Sequence, residues 1–358
     1  MRIMLERRDD RPRWLSLASP LAAVTLTMIA GAILFALMGR NPAAALKVFF
    51  IDPLSDGWAL QELAVKATPL ILISVGLALC YRSNTWNIGA EGQLVMGAIF
   101  GSWLALATHG TPNGPWVIAA MLALGALGGM CWALIPALLK IRFGVNEILT
   151  SLMLVYVAEL TLDYLVRGRW RDPKGFNFPQ SVNFEPEATM PLLAESGRLH
   201  VGFLIAIAVA LTAAFVMARM IKGFEIRLVG EAPRAARFAG FDDRRTTLLV
   251  FAVSGALAGL AGIIEVAGPI GQLQPSISPG YGFTAIIVAF LGRLNPIGAL
   301  IAALFLALTF IGGENAQIAM RIPLDVTRVF QGLLLFFVLG CDAFLLYRLR
   351  ILSAGRTT

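Results

Sequence analysis

Apolar residues fill most of this chain in long runs, and polar residues gather in short segments between the runs. A membrane-spanning helix needs about 20 consecutive apolar residues. The runs predict ten spans, at 15–38, 63–81, 87–108, 116–139, 147–166, 200–220, 246–267, 281–292, 296–312 and 327–347. The eighth is too short to cross in ideal form. The pattern therefore predicts an all-α polytopic membrane protein, a single transmembrane domain over residues 1–358 with some helices broken or half-length.

Composition supports a membrane protein and argues against other classes. The chain is 58% hydrophobic and 14% charged, whereas soluble domains carry about 25% charged residues. The net charge of +7 does not indicate nucleic-acid binding, because the basic residues lie between the apolar runs, where the positive-inside rule predicts them. The three cysteines and two histidines form no disulfide framework or metal-binding motif, so we expect no metal and no cofactor.

The distribution of basic residues predicts the topology. With the N-terminus inside, the segments assigned to the cytoplasm hold most of the 29 Lys and Arg residues, among them Arg82, Lys140, Arg142 and Arg293. The arginine-rich head 1–13 precedes an apolar run that is longer than the about 7–15 residues of a signal-peptide core, which predicts a retained first span. We expect both termini in the cytoplasm.

Two connecting segments stand out between the predicted spans. The first, 167–199, is the only sizeable external loop, and it is either a solvated connector or part of a docking surface for an external binding protein. The second, 222–245, carries five arginines and should face the cytoplasm. Its middle, Glu231 to Gly240, predicts a short helix, because Pro233 suits the first turn and Gly240 suits the end. This helix would be a docking surface for a soluble partner.

Three stretches place Gly or Pro beside polar side chains at membrane depth. They are NTWNIGAEGQ (84–93), GPIGQLQPSISPGYG (268–282) and GRLNP (292–296). Irregular backbone is tolerated at membrane depth only where it is buried in protein or lines a cavity. Broken helices that face a central site are common in transporters, so these breaks predict a translocation pathway.

Two acidic residues next to the breaks, Glu91 and Glu265, are candidates for this pathway, because ionisable side chains inside a membrane are usually functional. The alternative is that each caps a helix end or pairs with a neighbouring span. Glycines four residues apart, at 125 and 129 and at 255 and 259, predict close helix packing and carry no information on cargo.

The chain lacks the motifs of an energy-converting enzyme. It contains no G-x-x-x-x-G-K-[ST] phosphate loop and no G-x-S-x-G nucleophile motif. We therefore expect a protein that is not an enzyme, with energy for transport supplied by a partner or by an ion gradient. An ion-coupled secondary carrier would usually show two comparable halves, and no internal repeat is evident.

Several motifs together resemble one family. NTWNIGAEGQ, FGVNEILTSLML, EAPRAARFAG, SGALAGLAG and PGYGFTAIIVAFLGRLNPIGAL are similar to the permease subunits of bacterial ABC importers of the branched-chain amino acid and simple sugar group, most of all to those of nucleoside importers. The resemblance covers roughly residues 60–345. It implies the ABC importer permease fold in the bacterial inner membrane, among membrane lipids.

The resemblance also implies partners and site residues. The partners would be a second homologous permease, a cytoplasmic ABC ATPase, often with two fused cassettes, and an external substrate-binding lipoprotein. The segment 222–245 would be the coupling helix that contacts the ATPase, through Gly230, Glu231, Arg234, Ala235, Ala236, Arg237 and Gly240. Contacts to a nucleoside would come from Asn87, Glu91, Gln93, Gln272 and Gln274, with Trp86 or Tyr281 for base stacking. Ribose-type sugars and branched-chain amino acids remain alternative cargoes.

Overall fold

The structure, a computed structural model, describes residues 2–7, 13–111, 114–193, 197–323 and 325–352 of the chain. Part of the arginine-rich head, 8–12, and the last residues, 353–358, lie outside this range. The helices are α1 Arg13–Leu37, α2 Pro42–Phe50, α3 Gly57–Arg82, α4 Ala90–Ala107, α5 Trp116–Phe143, α6 Glu147–Arg167, α7 Gly202–Arg219, α8 Ile221–Glu231, α9 Pro233–Phe238, α10 Asp243–Glu265, α11 Tyr281–Leu291, α12 Pro296–Met320 and α13 Asp325–Leu346. Two strands, β1 Arg2–Arg7 and β2 Tyr347–Leu352, pair in antiparallel fashion.

The prediction of an all-α membrane protein is confirmed, apart from this small terminal ribbon. Among the described residues, eight helices are long and apolar enough to cross a membrane. They correspond to eight of the ten predicted spans. The other two predicted spans correspond to α11, which has only 11 residues, and to α13. The predicted number of ten full spans is therefore not confirmed.

The segment that contains α11 runs between two ends of the helical bundle. At one end the Leu294 carbonyl accepts a hydrogen bond of 3.1 Å from Arg82 Nε, where α3 ends. At the other end the Leu273 carbonyl accepts a bond of 2.9 Å from the Ser181 N–H in the long loop after α6. Residues 271–280 are irregular and 281–291 are helical. The segment therefore crosses between the two ends with an irregular first half and a helical second half.

We name these ends by what lies there. The "α9 end" holds α8 and α9, since Gly230 of α8 lies so close to the carbonyl of Arg82 that a Cβ would collide with it. The "loop end" holds the connection between α6 and α7. Helix α3, almost entirely buried, runs between them at the centre of residues 56–308, one of two compact units of the chain.

The predicted close packing of glycine-rich helices is confirmed where α5 meets α10. A Cβ on Gly259 would collide with the Gly125 carbonyl and would lie 2.8 Å from the Gly129 Cα. A Cβ on Gly255 would collide with Gly129 in the same way. The two backbones are therefore in direct contact, which only residues without a side chain allow.

The other compact unit comprises residues 1–55 and 309–358. Its core packs Phe35 and Phe49, whose ring centroids lie 5.7 Å apart, against Phe330, 5.9 Å from Phe49. Helix α2 was not predicted, because its nine residues are too short for a span. It begins where the Asn41 side chain accepts the backbone N–H of Ala43, and Pro42 occupies the first turn.

A polar site at the helix breaks and an exposed helix at the α9 end

Glu91, in the first turn of α4, is held by the start of α11. Its side chain is 4% exposed, and its Oε2 accepts a hydrogen bond from the backbone N–H of Gly282 at 2.5 Å. Gly282 must lack a side chain, because a Cβ would lie 2.6 Å from the Glu91 Cα. The N-terminal end of a helix favours a negative charge, so the broken segment supplies a partner for a carboxylate at membrane depth.

Glu91 also lines a cavity between α4, α6 and the irregular segment 275–278. The cavity has a volume of about 390 Å³, within the range of about 300–1,000 Å³ for small-molecule sites. Its polar lining comes from six side chains, Glu91, Tyr156, Glu159, Asp163, Ser276 and Ser278. Asp163 is paired with Arg167 at 2.7 Å one turn along α6. The cavity thus offers carboxylate and hydroxyl groups beside the helix break.

The side-chain amides of Asn87 and Gln93 form a reciprocal pair of hydrogen bonds. The Asn87 Nδ2 donates to Gln93 Oε1 at 3.0 Å, and Gln93 Nε2 donates to Asn87 Oδ1 at 2.9 Å. Asn87 Nδ2 also donates to Ser254 Oγ at 3.0 Å, and Asn87 Oδ1 accepts the N–H of Gly89 at 3.1 Å. Asn87 is 0% and Gln93 1% exposed. This geometry holds the extended backbone before α4 in place, and it favours a structural contribution from both amides.

Trp86 lies near the α9 end, away from the cavity. Its half-buried ring is stacked at 6.2 Å on Phe290 and lies 5.2 Å from Tyr81. Its backbone N–H donates to Glu147 Oε1 at 3.4 Å, and Glu147 is paired with Lys140. Trp86 therefore fixes the C-terminal half of the broken crossing against the ends of neighbouring helices.

Glu265 ends α10, where a π-helix, Val266–Ile270, begins. Its carboxylate is 8% exposed and accepts a hydrogen bond from the Tyr281 side chain, and Lys66 and Arg198 are the nearby positive charges. Tyr281 is 2% exposed. The bond joins the end of α10 to the start of α11, so Glu265 and Tyr281 bracket the irregular segment between these helices.

Gln272 and Gln274 lie within that segment and are half-buried. Gln272 Nε2 donates to Gln180 Oε1 in the long loop at 3.3 Å. Gln274 Nε2 donates to the carbonyl of Ser276 at 3.1 Å. The structure therefore places the predicted pathway residues in three groups, at the loop end, around Glu91, and around Trp86.

The long loop is folded onto the break. The Phe184 and Met190 N–H groups donate to the carbonyls of Gly271 and Ala267, each at 2.8 Å, and Ser181 is 0% exposed. His200, at the end of the loop, is 1% exposed, and its Nδ1 accepts the N–H of Gly202 at 3.2 Å. Burial lowers the pKa of His200 to about 4, so the ring is neutral at physiological pH. The loop is thus a structured cap on the break.

At the α9 end, the short helix predicted from the arginine-rich segment is present as α9. Arg234, Ala235 and Arg237 are exposed, whereas Ala236 faces inward and is 1% exposed. Gly240 follows the helix with a φ of +84°, a left-handed conformation that favours glycine. Glu231 is exposed at the end of α8. Arg237 is paired with Asp243 at 3.3 Å, so part of its charge is neutralised within the chain.

A side-chain hydrogen bond between Glu225 and Thr246 connects α8 to α10. Glu225 accepts hydrogen bonds from Lys222 Nζ and Thr246 Oγ1, both at 2.8 Å. Burial acts to raise the pKa of Glu225, but these two hydrogen bonds and the Lys222 charge outweigh it and lower the pKa below its ordinary value. The ionised carboxylate therefore joins α8 to the first turn of α10, and α9 lies between these two helices in the chain.

Several residues of these surfaces were not predicted from the sequence, among them Tyr156 of the cavity lining. Ser276 and Ser278 line the cavity, and Ser254 completes the Asn87 network. No spacing signal distinguishes these serines from others. Phe238, at the end of α9, is 96% exposed, and its signal was a large apolar side chain in the charged segment.

Comparison with known proteins identifies the family. The model of the family described as "Branched-chain amino acid transport system / permease component" matches residues 59–339. The glucose ABC transporter permease protein TsgB13 of Haloferax volcanii is 36% identical, with 98% of this chain and 94% of the relative covered. The guanosine ABC transporter permease protein NupP of Bacillus subtilis is 30% identical, with 89% and 92% covered.

A third relative, the nucleoside ABC transporter permease protein NupB of Lactococcus lactis, is 29% identical, with 89% of each chain covered. The family model and the relatives at 36% and 30% identity agree with the resemblance seen in the motifs. The chain belongs to the family of permease components of the branched-chain amino acid transport system, as a multi-pass membrane subunit of an ABC importer.

Proposed function

We propose that this permease carries nucleosides, and that they pass through the cavity beside Glu91. The observation that carries the proposal is the polar lining of that cavity at membrane depth, between α4, α6 and the irregular half of a broken crossing. Polar groups beside broken helices are a recurrent arrangement for substrate sites in transporters. Glu265, Gln272 and Gln274 would line the approach from the loop end.

The chemistry of the lining suits a ribose ring. Glu91 and Glu159 line the cavity. When ionised, a carboxylate has only acceptor oxygens, and these can accept hydrogen bonds from two neighbouring hydroxyl groups of a ribose. Ser276 and Ser278 supply hydroxyls that donate or accept. Tyr156, in the same lining and 56% exposed, offers a flat ring face to a nucleobase.

A hexose is the second candidate cargo, favoured by the 36% identity to the glucose permease of Haloferax volcanii. Sugars and nucleosides share neighbouring ring hydroxyls, so the same carboxylates suit both. They differ in the flat base, which makes Tyr156 the residue that should distinguish them.

The ABC importer family implies an ATPase partner. We propose that the partner contacts α9 through the exposed residues Arg234, Ala235, Arg237 and Phe238 and through Glu231 and Gly240. Ala236 and Gly230 pack inward and hold α9 in position. A large exposed aromatic ring beside an arginine is typical of a residue that anchors a protein interface.

The remaining partners and the orientation complete the proposal. A second homologous permease would close the cavity, and an external binding lipoprotein would dock at the loop end, 167–199. The α9 end and both termini would be cytoplasmic, as the arginine-rich segments suggest. The pairing of β1 with β2 supports a common side of the membrane for the two termini.

Uptake measurements in cells test the proposal. Labelled guanosine, glucose and leucine would be supplied to cells with the chain, without it, and with an inactive ATPase. We expect guanosine uptake that needs both the chain and an active ATPase. Uptake of glucose alone would mean that the cargo is a sugar and not a nucleoside. Uptake that persists with the inactive ATPase would contradict the proposal that the ATPase drives transport.

Variants connect the uptake to the cavity. Glu159→Gln should reduce uptake, whereas Asp325→Asn, an exposed carboxylate outside the cavity lining and outside 167–199, is the control and should not. Tyr156→Leu should reduce guanosine uptake more than glucose uptake. Equal uptake by the Glu159 variant and its control would contradict the assignment of cargo to this cavity.

A further inference from the structure

Two further cavities lie at the loop end, beside the C-terminal half of α4. The first is an apolar slot of about 470 Å³ between α4, α5 and α6. It is lined by Ile99, Phe100, Trp103, Leu124, Leu165 and Trp170. None of these side chains is charged, so the slot suits a hydrocarbon and no polar solute.

The second cavity lies next to the slot and has a different chemistry. It also measures about 470 Å³, and its lining includes His109, Arg169 and Arg171 together with Trp103 and Trp170. Both tryptophans therefore border the two cavities, so the cavities are neighbours and form a two-part site, with an apolar part and a basic part. Trp103 is 54% exposed, and tryptophan is enriched where a membrane meets water.

The lining of the basic part, among the described residues, contains two guanidinium groups and no carboxylate. Arg169 and Arg171 are exposed, and Arg171 is oriented by a hydrogen bond from its Nη1 to Asn177 Oδ1. The nearby Glu185 carboxylate lies outside this lining, 3.3 Å from His109 Nδ1. Asp172 uses an oxygen to accept the N–H of Lys174 at 2.9 Å. Two guanidinium groups thus remain available to a ligand that carries negative charge.

We propose that this two-part site binds an anionic phospholipid, with an acyl chain in the slot and the phosphate at Arg169 and Arg171. Arginine is well suited to phosphate, because its planar guanidinium can donate two parallel hydrogen bonds. An anion from water would leave the slot empty, and an uncharged lipid would leave both arginines without a counter-charge. In the orientation proposed above, the lipid belongs to the outer leaflet. The site does not depend on the identity of the cargo.

Native mass spectrometry of the full chain in detergent tests the proposal. The protein would be incubated with phosphatidylglycerol or with phosphatidylcholine of the same acyl composition, and the retained lipid would be counted. We expect phosphatidylglycerol to be retained at least fivefold better. Equal retention of the two lipids would overturn the proposal of an anionic headgroup.

Variants assign the retained lipid to this site. The double variant Arg169→Gln, Arg171→Gln should abolish the preference for phosphatidylglycerol, whereas Lys174→Gln, an exposed cation of the same loop outside the lining, should keep it. Leu124→Trp, which fills the slot, should lower retention of both lipids. The melting temperature of each variant in phosphatidylcholine verifies folding. A folded double variant that still prefers phosphatidylglycerol would refute the site.

Discussion

The backbone N–H of Gly282 donates a hydrogen bond to Glu91 Oε2, which joins residues 191 positions apart in the sequence. One belongs to the helix that follows the irregular segment 271–280, and the other to the helix that follows Asn87. Two interruptions of the membrane-spanning helices are therefore fastened to each other through a carboxylate. The same carboxylate lines the cavity. A change of charge at Glu91 would therefore affect both the contact between the two interruptions and the cavity.

Replacement of Glu91 by Gln separates its charge from its shape. The Gln Oε1 can still accept the Gly282 N–H, so the protein should fold and insert. A hydrogen bond to a charged group contributes about 1.5–3 kcal/mol, so we expect uptake at low cargo concentration to fall roughly tenfold or more. The measurement is initial uptake rate, normalised to the amount of protein in the membrane. Loss of the protein from the membrane would instead indicate that Glu91 serves mainly to hold the fold.

The glycine contact between α5 and α10 gives a prediction about stability. In Gly259→Ala the new Cβ would lie 2.8 Å from the Gly129 Cα, and the two helices would have to separate. Overpacking of this kind costs about 1–3 kcal/mol, so the melting temperature in detergent should fall. Gly332→Ala is the control, because nothing lies within 4 Å of the added Cβ and alanine favours a helix. Equal melting temperatures for the two variants would show that the contact is not tight.

The sequence was sufficient to predict the eight long apolar helices, because apolar length and the positions of Gly and Pro are local properties. Local signals also include Asn146, since an asparagine directly before an apolar run is typical of a helix cap, and its Oδ1 accepts the N–H of Ile148 at 2.9 Å. The close approach of α5 and α10 followed in the same way from glycines spaced one turn apart. The breaks at 84–93 and 268–282 were likewise evident from their composition.

The contacts across those breaks could not be predicted, because they depend on how distant segments meet. Nothing in the sequence indicates that Asn87 faces Gln93 and Ser254, which consumes much of its hydrogen-bonding capacity. Nor does the sequence indicate that the loop after α6 folds onto the π-helix that ends α10. Phe238 could have been noticed, since an aromatic residue in an arginine-rich segment has no core of its own to join.

The exposed face of α9 can be tested without disturbing the fold. Arg237 is paired with Asp243, so its replacement would break an ion pair within the chain as well as change the exposed face of α9. Arg234 and Phe238 are exposed, and the double variant Arg234→Glu, Phe238→Ser should leave expression unchanged. We expect it to reduce co-purification of the ATPase at least tenfold, because exposed aromatic and arginine anchors dominate interface energies.

Arg219→Gln is the matched control for this double variant. Arg219 is an exposed arginine at the end of α7, next to α8 in the chain but outside α9. It should retain the ATPase. If the double variant also retained the ATPase and supported normal uptake, α9 would not be the contact surface.

His200 predicts how stability depends on pH. Burial lowers its pKa from the ordinary 6.5 to about 4, so between these values the unfolded chain binds a proton that the folded chain does not. Stability is therefore complete above about pH 6.5 and falls as the pH falls, with the loss complete near pH 4. The full loss corresponds to about 3 kcal/mol, since one pKa unit is about 1.4 kcal/mol.

His200→Asn should remove this dependence. The Asn Oδ1 can take the place of Nδ1 as acceptor of the Gly202 N–H, and asparagine does not titrate. Melting temperatures of the two proteins in detergent, measured from pH 7.5 to 4.5, should diverge as the pH falls, with the wild type losing more. Parallel curves would mean either that the ring is not protonated on unfolding in this pH range or that it is protonated equally in the folded and unfolded states. In both cases the burial of His200 would have no effect on how stability changes over this pH range.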